Sequence, residues 1–264
     1  MSSNSAPTRK WRVLVIGHSV ATMVPDRASR LDGPYPELVE QTLRAEGFDV
    51  EVRNAGKEFT HIGHGVRAYQ EITAGWSADV VIVNYGVVES QAPFIPQAVY
   101  NHFQTWDVGT SRIARAYRRR VAPWLWTRLR KTQRRAVKLM GDRGHRVGPQ
   151  RFVTLFNQLI FLARHEHRLV LVLDINPPGP RITHSLPGAQ ERRDRYNELL
   201  HTVVHDAQVR DPDGVRLIRS SAVVEELGLE KALPDGYHFS VEGHRRVADM
   251  VVAEIEAFVA RTTA

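Results

Sequence analysis

Five short runs of aliphatic and β-branched residues, interleaved with stretches of helical period, restrict this chain to few folds. The runs are Trp11–Ile16, Phe48–Arg53, Val80–Asn84, Leu169–Ile175 and Val215–Ile218. Several are nearly continuous Val, Ile and Leu, the pattern of strands buried on both faces. Helical patterns lie near Tyr35–Glu46, Gly65–Ala74, Arg151–His165, Ala189–Asp206 and Val241–Ala260. Gly47 and Gly75 stand where helix C-caps are expected. Strands alternating with helices predict a parallel sheet with right-handed crossovers and helices on both faces. The expectation is a flavodoxin-like three-layer α/β/α sandwich with a five-stranded parallel sheet in the order 2-1-3-4-5. Ligands on such sheets bind beyond the carboxyl ends of the strands, so the loop after each run matters most.

The 264 residues suit one large domain, 11–264, behind a polar tail at 1–10 that is expected to be disordered. Nothing approaches the roughly 20 apolar residues of a membrane span. The apolar run Val13–Ile16 is too short for the core of a secretion signal, about 7–15 residues. A cytoplasmic protein is the expectation. Cysteine is absent, which excludes disulfides, thiolate chemistry and cysteine-bound metal sites. No cofactor is implied.

One connection is too long for a simple crossover. Between Val87 and Gln150 the strand–helix alternation lapses, and a basic helical insertion at about 101–150, after strand 3, is expected. Ile113, Tyr117 and Val121 recur at helical spacing before Pro123, and Leu125, Leu129, Val137 and Met140 after it, so Pro123 should break or kink a helix pair. Arg112–Arg151 holds fourteen Lys/Arg against the single acid Asp142. That net +13 leaves the remainder of a +7 chain at −6. Trp106, Tyr117, Trp124 and Trp126 lie among the arginines. The mixture suits an anionic glycan, a membrane surface, a lid over a site, or a solvated helical face with a buried stripe. No nucleic-acid module is recognisable, which makes nucleic acid the weakest partner.

The chemistry gathers at the two ends of the chain. Gly17-His18-Ser19 follows the first run directly, so Ser19 stands at a strand's carboxyl end, where amide dipoles favour negative charge. The same serine could equally be a helix N-cap. Asp235-Gly236-Tyr237-His238 precedes the last helix. A carboxylate three residues before a histidine can fix its tautomer and leave the other ring nitrogen for a nucleophile; the alternative is ordinary turn chemistry.

Taken in order, these segments resemble the SGNH, or GDSL-type, hydrolase family over nearly the whole chain. Its first block matches Gly17-His18-Ser19 and implies Ser19 as nucleophile. Its second matches Asn54-Ala55-Gly56 and implies that the amides of Ser19 and Gly56 form an oxyanion hole. Its last matches Asp235, His238, Gly243 and His244 and implies His238 as base with Asp235 as its orienting acid. Tyr196-Asn197 also looks family-like. The third block departs from the family pattern: Gly86-Val87-Val88-Glu89 places Val88 where the family has an asparagine donor, and Asn84 and Asn176 are the substitute candidates. His18 replaces an aspartate and would either alter loop hydrogen bonding or add a charge that varies near neutral pH. His18, Glu89 and His61 are pocket candidates. The spacing of His18, His61 and His64 is not diagnostic of a metal, and surface or capping roles suit the last two.

The resemblance implies a serine esterase that removes an acyl group from a carbohydrate or other polar metabolite. The alternatives are an acyltransferase on the same residues, or an inactive domain that binds an anionic polymer or membrane through segment 112–151. Substrate, acyl group and oligomeric state are not written in these residues.

Overall fold

A computed structural model describes residues 9–29, 31–91, 117, 121–140, 145–164 and 168–263. The strands are β1 (Trp11–Gly17), β2 (Val50–Asn54), β3 (Val80–Asn84), β4 (Leu169–Leu173) and β5 (Val215–Ile218). They form one parallel sheet in the order β2-β1-β3-β4-β5. Period-2 alternation sends successive side chains to opposite faces, and both faces are covered. Val13, Val15, Val80, Ile82, Leu171 and Leu173 pack toward α1 (Tyr35–Ala45) and the C-terminal helix. Leu14, Ile16, Val81, Val83, Val170 and Val172 pack against α2 (Ile62–Thr73) and two further helices. This is the expected three-layer sandwich.

The remaining helices are α3 (Val87–Ser90), α4 (Ala122–Met140), α5 (Pro149–Arg164), α6 (Pro180–Ser185), α7 (Ala189–Arg210), α8 (Ser221–Leu227), α9 (Leu229–Ala232) and α10 (Val241–Thr263). The α2 helix starts three residues before its expected Gly65, because the His61 side chain accepts the Gly63 amide and caps the first turn. In the insertion, Pro123 follows a turn at Val121. It lies in the first turn of α4, where its missing N–H is no loss. Ile113, Trp106 and the rest of 92–116 lie outside the described residues. So do residues 1–8 of the expected tail, but its last two residues belong to the body: Arg9 pairs with Asp79 and covers Trp11, and Lys10 pairs with Glu51 at 2.8 Å. No helix among the described residues is long and apolar enough to cross a membrane.

The five strand ends carry the loops that build the site, and two glycines hold these loops against each other. The Gly179 amide donates to the Gly236 carbonyl at 2.9 Å, and a Cβ on Gly179 would stand 2.6 Å from the Gly236 Cα. Only glycine permits that approach, which ties the loop after β4 to the one before α10. On the opposite face, Phe152 lies between Phe156 and Tyr196, with ring centroids 4.9 Å from each, and all three are buried. Edge-on aromatic packing of this kind locks α5 to α7. Phe156→Ala should therefore lower the unfolding free energy by about 3–5 kcal/mol, measured by urea unfolding; a loss below about 1 kcal/mol contradicts this packing.

Candidate active site

Ser19 opens a single 3₁₀ turn (Ser19–Ala21) immediately after β1. The turn is capped by its own neighbour: His18 Nδ1 accepts the Val20 amide at 3.3 Å. His18 is buried beneath Tyr85, and burial, aided by the nearby His238, pushes its pKa down to about 3. It is therefore neutral near pH 7. It does not add the variable charge that its position beside Ser19 suggested.

The loop before α10 brings the other end of the chain to this turn. His238 Nε2 lies 2.7 Å from Ser19 Oγ, and His238 Nδ1 lies 2.6 Å from Asp235 Oδ2. The second carboxylate oxygen accepts the amides of Tyr237 and His238, at 2.9 and 2.8 Å. The D-x-x-H spacing thus folds into a turn in which one aspartate holds both the backbone and the imidazole. Burial alone would raise the Asp235 pKa, but the His238 ring and these two amides outweigh it and bring it down to about 2. An ionised carboxylate only accepts, so Nδ1 carries the proton and Nε2 faces Ser19 with its lone pair. Behind the loop, fully buried His244 accepts the Tyr35 amide on Nδ1 and donates to the Met23 carbonyl from Nε2. It fastens α10 to α1 and to the segment following Ser19.

The groups around Ser19 Oγ differ in how far they are already committed. The Ser19 amide has no hydrogen-bond partner among the described residues. The Gly56 amide donates to Asn54 Oδ1 at 2.9 Å, and Asn54 Nδ2 in turn donates to the Ala21 carbonyl at 2.8 Å. Asn54 therefore ties the second block to the Ser19 turn and occupies the amide that the resemblance assigned to the oxyanion. Asn84 is buried at the end of β3, next to Gly17, and its side-chain amide has no partner among the described residues. Asn176, also buried, accepts the Ser220 hydroxyl at 3.3 Å.

Two pocket candidates serve the scaffold instead. Glu89 is completely buried, and its carboxylate accepts the Ile62 amide at 2.6 Å and the Gly86 amide at 2.8 Å. It ties the start of α2 to the loop after β3, where Gly86 takes a φ of +130° and a Cβ would collide with Ile175. Burial raises the Glu89 pKa to about 7, against the pull of those amides and of Arg146. His61 caps α2 with its ring 4.2 Å from that of His64. Its pKa falls to about 4 through burial, His64 and nearby arginines.

Some residues that shape the site carried no signal in sequence. A small, partly open cavity lies between the loops after β3 and β4, walled by Val87, Ile175, Pro178, Ile182 and Tyr237, with Asn176 and Arg193 among its polar members. Tyr237 directly precedes His238. Asp174, at the end of β4, accepts the Ser220 hydroxyl and the Ser221 amide and hydroxyl, fixing the start of α8. Arg193 lies in the second turn of α7 and Asp174 near the end of an apolar run, and neither spacing marks a pocket.

No family model and no curated protein matches this sequence at a significant level. Solved structures do. The lipase/acylhydrolase from Enterococcus faecalis superposes with a TM-score of 0.62 at 15% identity, covering 94% of this chain and 96% of the other. An acetylxylan esterase from Geobacillus stearothermophilus gives 0.59 at 14% identity, over 93% and 94%. TesA gives 0.57 at 16% identity, over 94% and 99%. This chain has their fold. The shared architecture extends over nearly the full length of each.

Glu89 gives the site a measurable pH signature. Below the ordinary value of 4.5 it is protonated both folded and unfolded and costs nothing. Between 4.5 and about 7 only the unfolded chain gives up the proton readily, so the folded state loses stability, and above about 7 the loss is complete. The stability of the wild type relative to Glu89→Gln should fall by about 3 kcal/mol across that window, read by chemical denaturation at several pH values. A flat difference, or one that rises with pH, contradicts the burial of Glu89.

Proposed function

We propose that the protein is a serine esterase that acts through Ser19, His238 and Asp235. One observation carries the reading: the continuous chain from Ser19 Oγ through His238 to Asp235, with contacts of 2.7 and 2.6 Å. The fold shared with an acylhydrolase and an acetylxylan esterase supports it. His238 Nε2 takes the Ser19 proton as Oγ attacks the ester carbonyl. Asp235 stabilises the imidazolium, which then passes the proton to the departing alcohol oxygen. In the second half, His238 activates water, and the acyl–Ser19 bond breaks to release the acid.

The oxyanion needs donors that are free or can be freed. The Ser19 amide is free, and the Asn84 side-chain amide is unpartnered at the end of the neighbouring strand β3, so we assign these two as the donors. The Gly56 amide joins them only by releasing Asn54. Asn84 thus takes over the role that Val88 cannot fill. The substrate class that fits is an ester of a carbohydrate or other polar metabolite, and product analysis shows whether water or another alcohol receives the acyl group.

A fluorophosphonate should label Ser19 stoichiometrically, with the adduct mapped by peptide mass spectrometry, and Asp235→Asn should lower kcat by about 10⁴. Asn84→Ala should lower kcat by about 10²–10³ with a smaller change in KM. Absence of label under conditions that modify a control esterase would sink the reading. An unaltered kcat in Asn84→Ala removes that residue from the oxyanion hole.

A further inference from the structure

The cavity beside the His238 loop contains a charge that ester hydrolysis does not require. Arg193 enters it from α7, with its side chain only 14% exposed, among Val87, Ile175, Pro178, Ile182 and Tyr237. The guanidinium is held in place from one side. Its Nε donates to the Ile175 carbonyl at 2.6 Å, and Nη1 donates to Asp194 at 2.9 Å. The Ile175 amide is held in turn by Asn197 Oδ1 from the same helix, so loop and arginine form one rigid unit. Nη2 has no partner among the described residues.

Asp194 does not use up this charge. Its side chain is 46% exposed, and both of its oxygens also accept from Gln190, at 2.9 and 3.0 Å. A half-exposed carboxylate that is shared with an amide screens this mostly covered guanidinium incompletely. Further positive charge stands outside. On α6, which supplies Ile182 to the cavity wall, His184 meets Arg134 of α4 at 3.4 Å, and Arg128, Lys131, Arg135 and Lys138 of α4 are exposed nearby in sequence. A field of this sign raises the local concentration of anions.

We propose that this cavity binds the part of the ester that carries a carboxylate, with Arg193 as its partner, so that the enzyme selects anionic esters over neutral ones of equal size. The inference rests on Ser19 as nucleophile and names the substrate class for that same site. A carboxylate in the cavity accepts a charge-assisted hydrogen bond from Nη2, between apolar walls. A neutral ester of the same length leaves the guanidinium unanswered. The carboxylate can belong to the acyl group or to the alcohol, and the chemistry of recognition is the same.

The comparison needs matched probes and the full-length protein. On the acyl side these are 4-nitrophenyl hydrogen glutarate and 4-nitrophenyl valerate. On the alcohol side they are acetylated glycolate and acetylated ethylene glycol. In one of the two pairs the charged member should be preferred in kcat/KM by about 10- to 100-fold, and the pair that shows it identifies which part of the ester enters. Raising the ionic strength to about 1 M should shrink the preference severalfold. Arg193→Gln should reduce it to near parity, while Arg193→Lys, which keeps the charge without the fork, should retain part of it. Equal rates for both members of both pairs overturn the anion pocket and leave the hydrolase reading standing. If no ester is turned over and Ser19 takes no fluorophosphonate, the hydrolase reading fails instead. Calorimetry of Ser19→Ala with glutarate monomethyl ester then decides the pocket alone: binding weakened by Arg193→Gln supports it, and no binding overturns it.

Discussion

The 2.7 Å contact between Ser19 Oγ and His238 Nε2 joins residues 219 positions apart, and much of the architecture is arranged around making it possible. β1 lies inside the sheet, between β2 and β3, so the turn after it emerges in the middle of the carboxyl edge. The chain must then return to that point after β5, at the far edge. It does so through α8, α9 and the loop that carries Asp235, pinned by the Gly179–Gly236 backbone approach on one side and by His244 on the other. Neither anchor takes part in chemistry. Each fixes the loop so that an imidazole on it reaches hydrogen-bond distance without freedom to swing away.

The third loop departs from the pattern of the family that the sequence resembles. Val88 is buried and apolar where the family has an amide donor, and the adjacent Glu89 is consumed in holding two backbone amides together. An ionised carboxylate with no solvent contact is expensive, which is why its pKa rises to about 7. What the loop gains is a fixed junction between α2, α3 and Gly86. In the proposed mechanism the donor role passes to Asn84, unpartnered at the end of β3, the strand beside β1. A neutral, buried His18 fits the same pattern, since it caps the turn where a charged group would need its own partner.

Reading from sequence succeeded where a single local pattern decides the structure. Continuous Val/Ile/Leu runs alternating with helical stretches marked strands buried on both faces of a parallel sheet. Ser19, Asp235 and His238 were legible because order and spacing along the chain matched a known set of blocks. His61 fills the capping role that suited it, whereas Glu89 was counted among pocket candidates because a carboxylate near a strand end looks alike whether it faces a ligand or a backbone amide. Arg193 could not be found at all. It is one arginine of many on a long amphipathic helix, and only the return of the loop after β4 makes it the charged member of a cavity.

The most direct test of the account is the crystal structure of the protein after reaction with a small alkyl phosphonate. The account predicts phosphorus bonded to Ser19 Oγ, and a phosphoryl oxygen within about 3 Å of the Ser19 amide and Asn84 Nδ2. The alkyl-bearing side should open toward the cavity that holds Arg193. A phosphonate bonded elsewhere, or one on Ser19 whose oxygen points to solvent away from both donors, would contradict it.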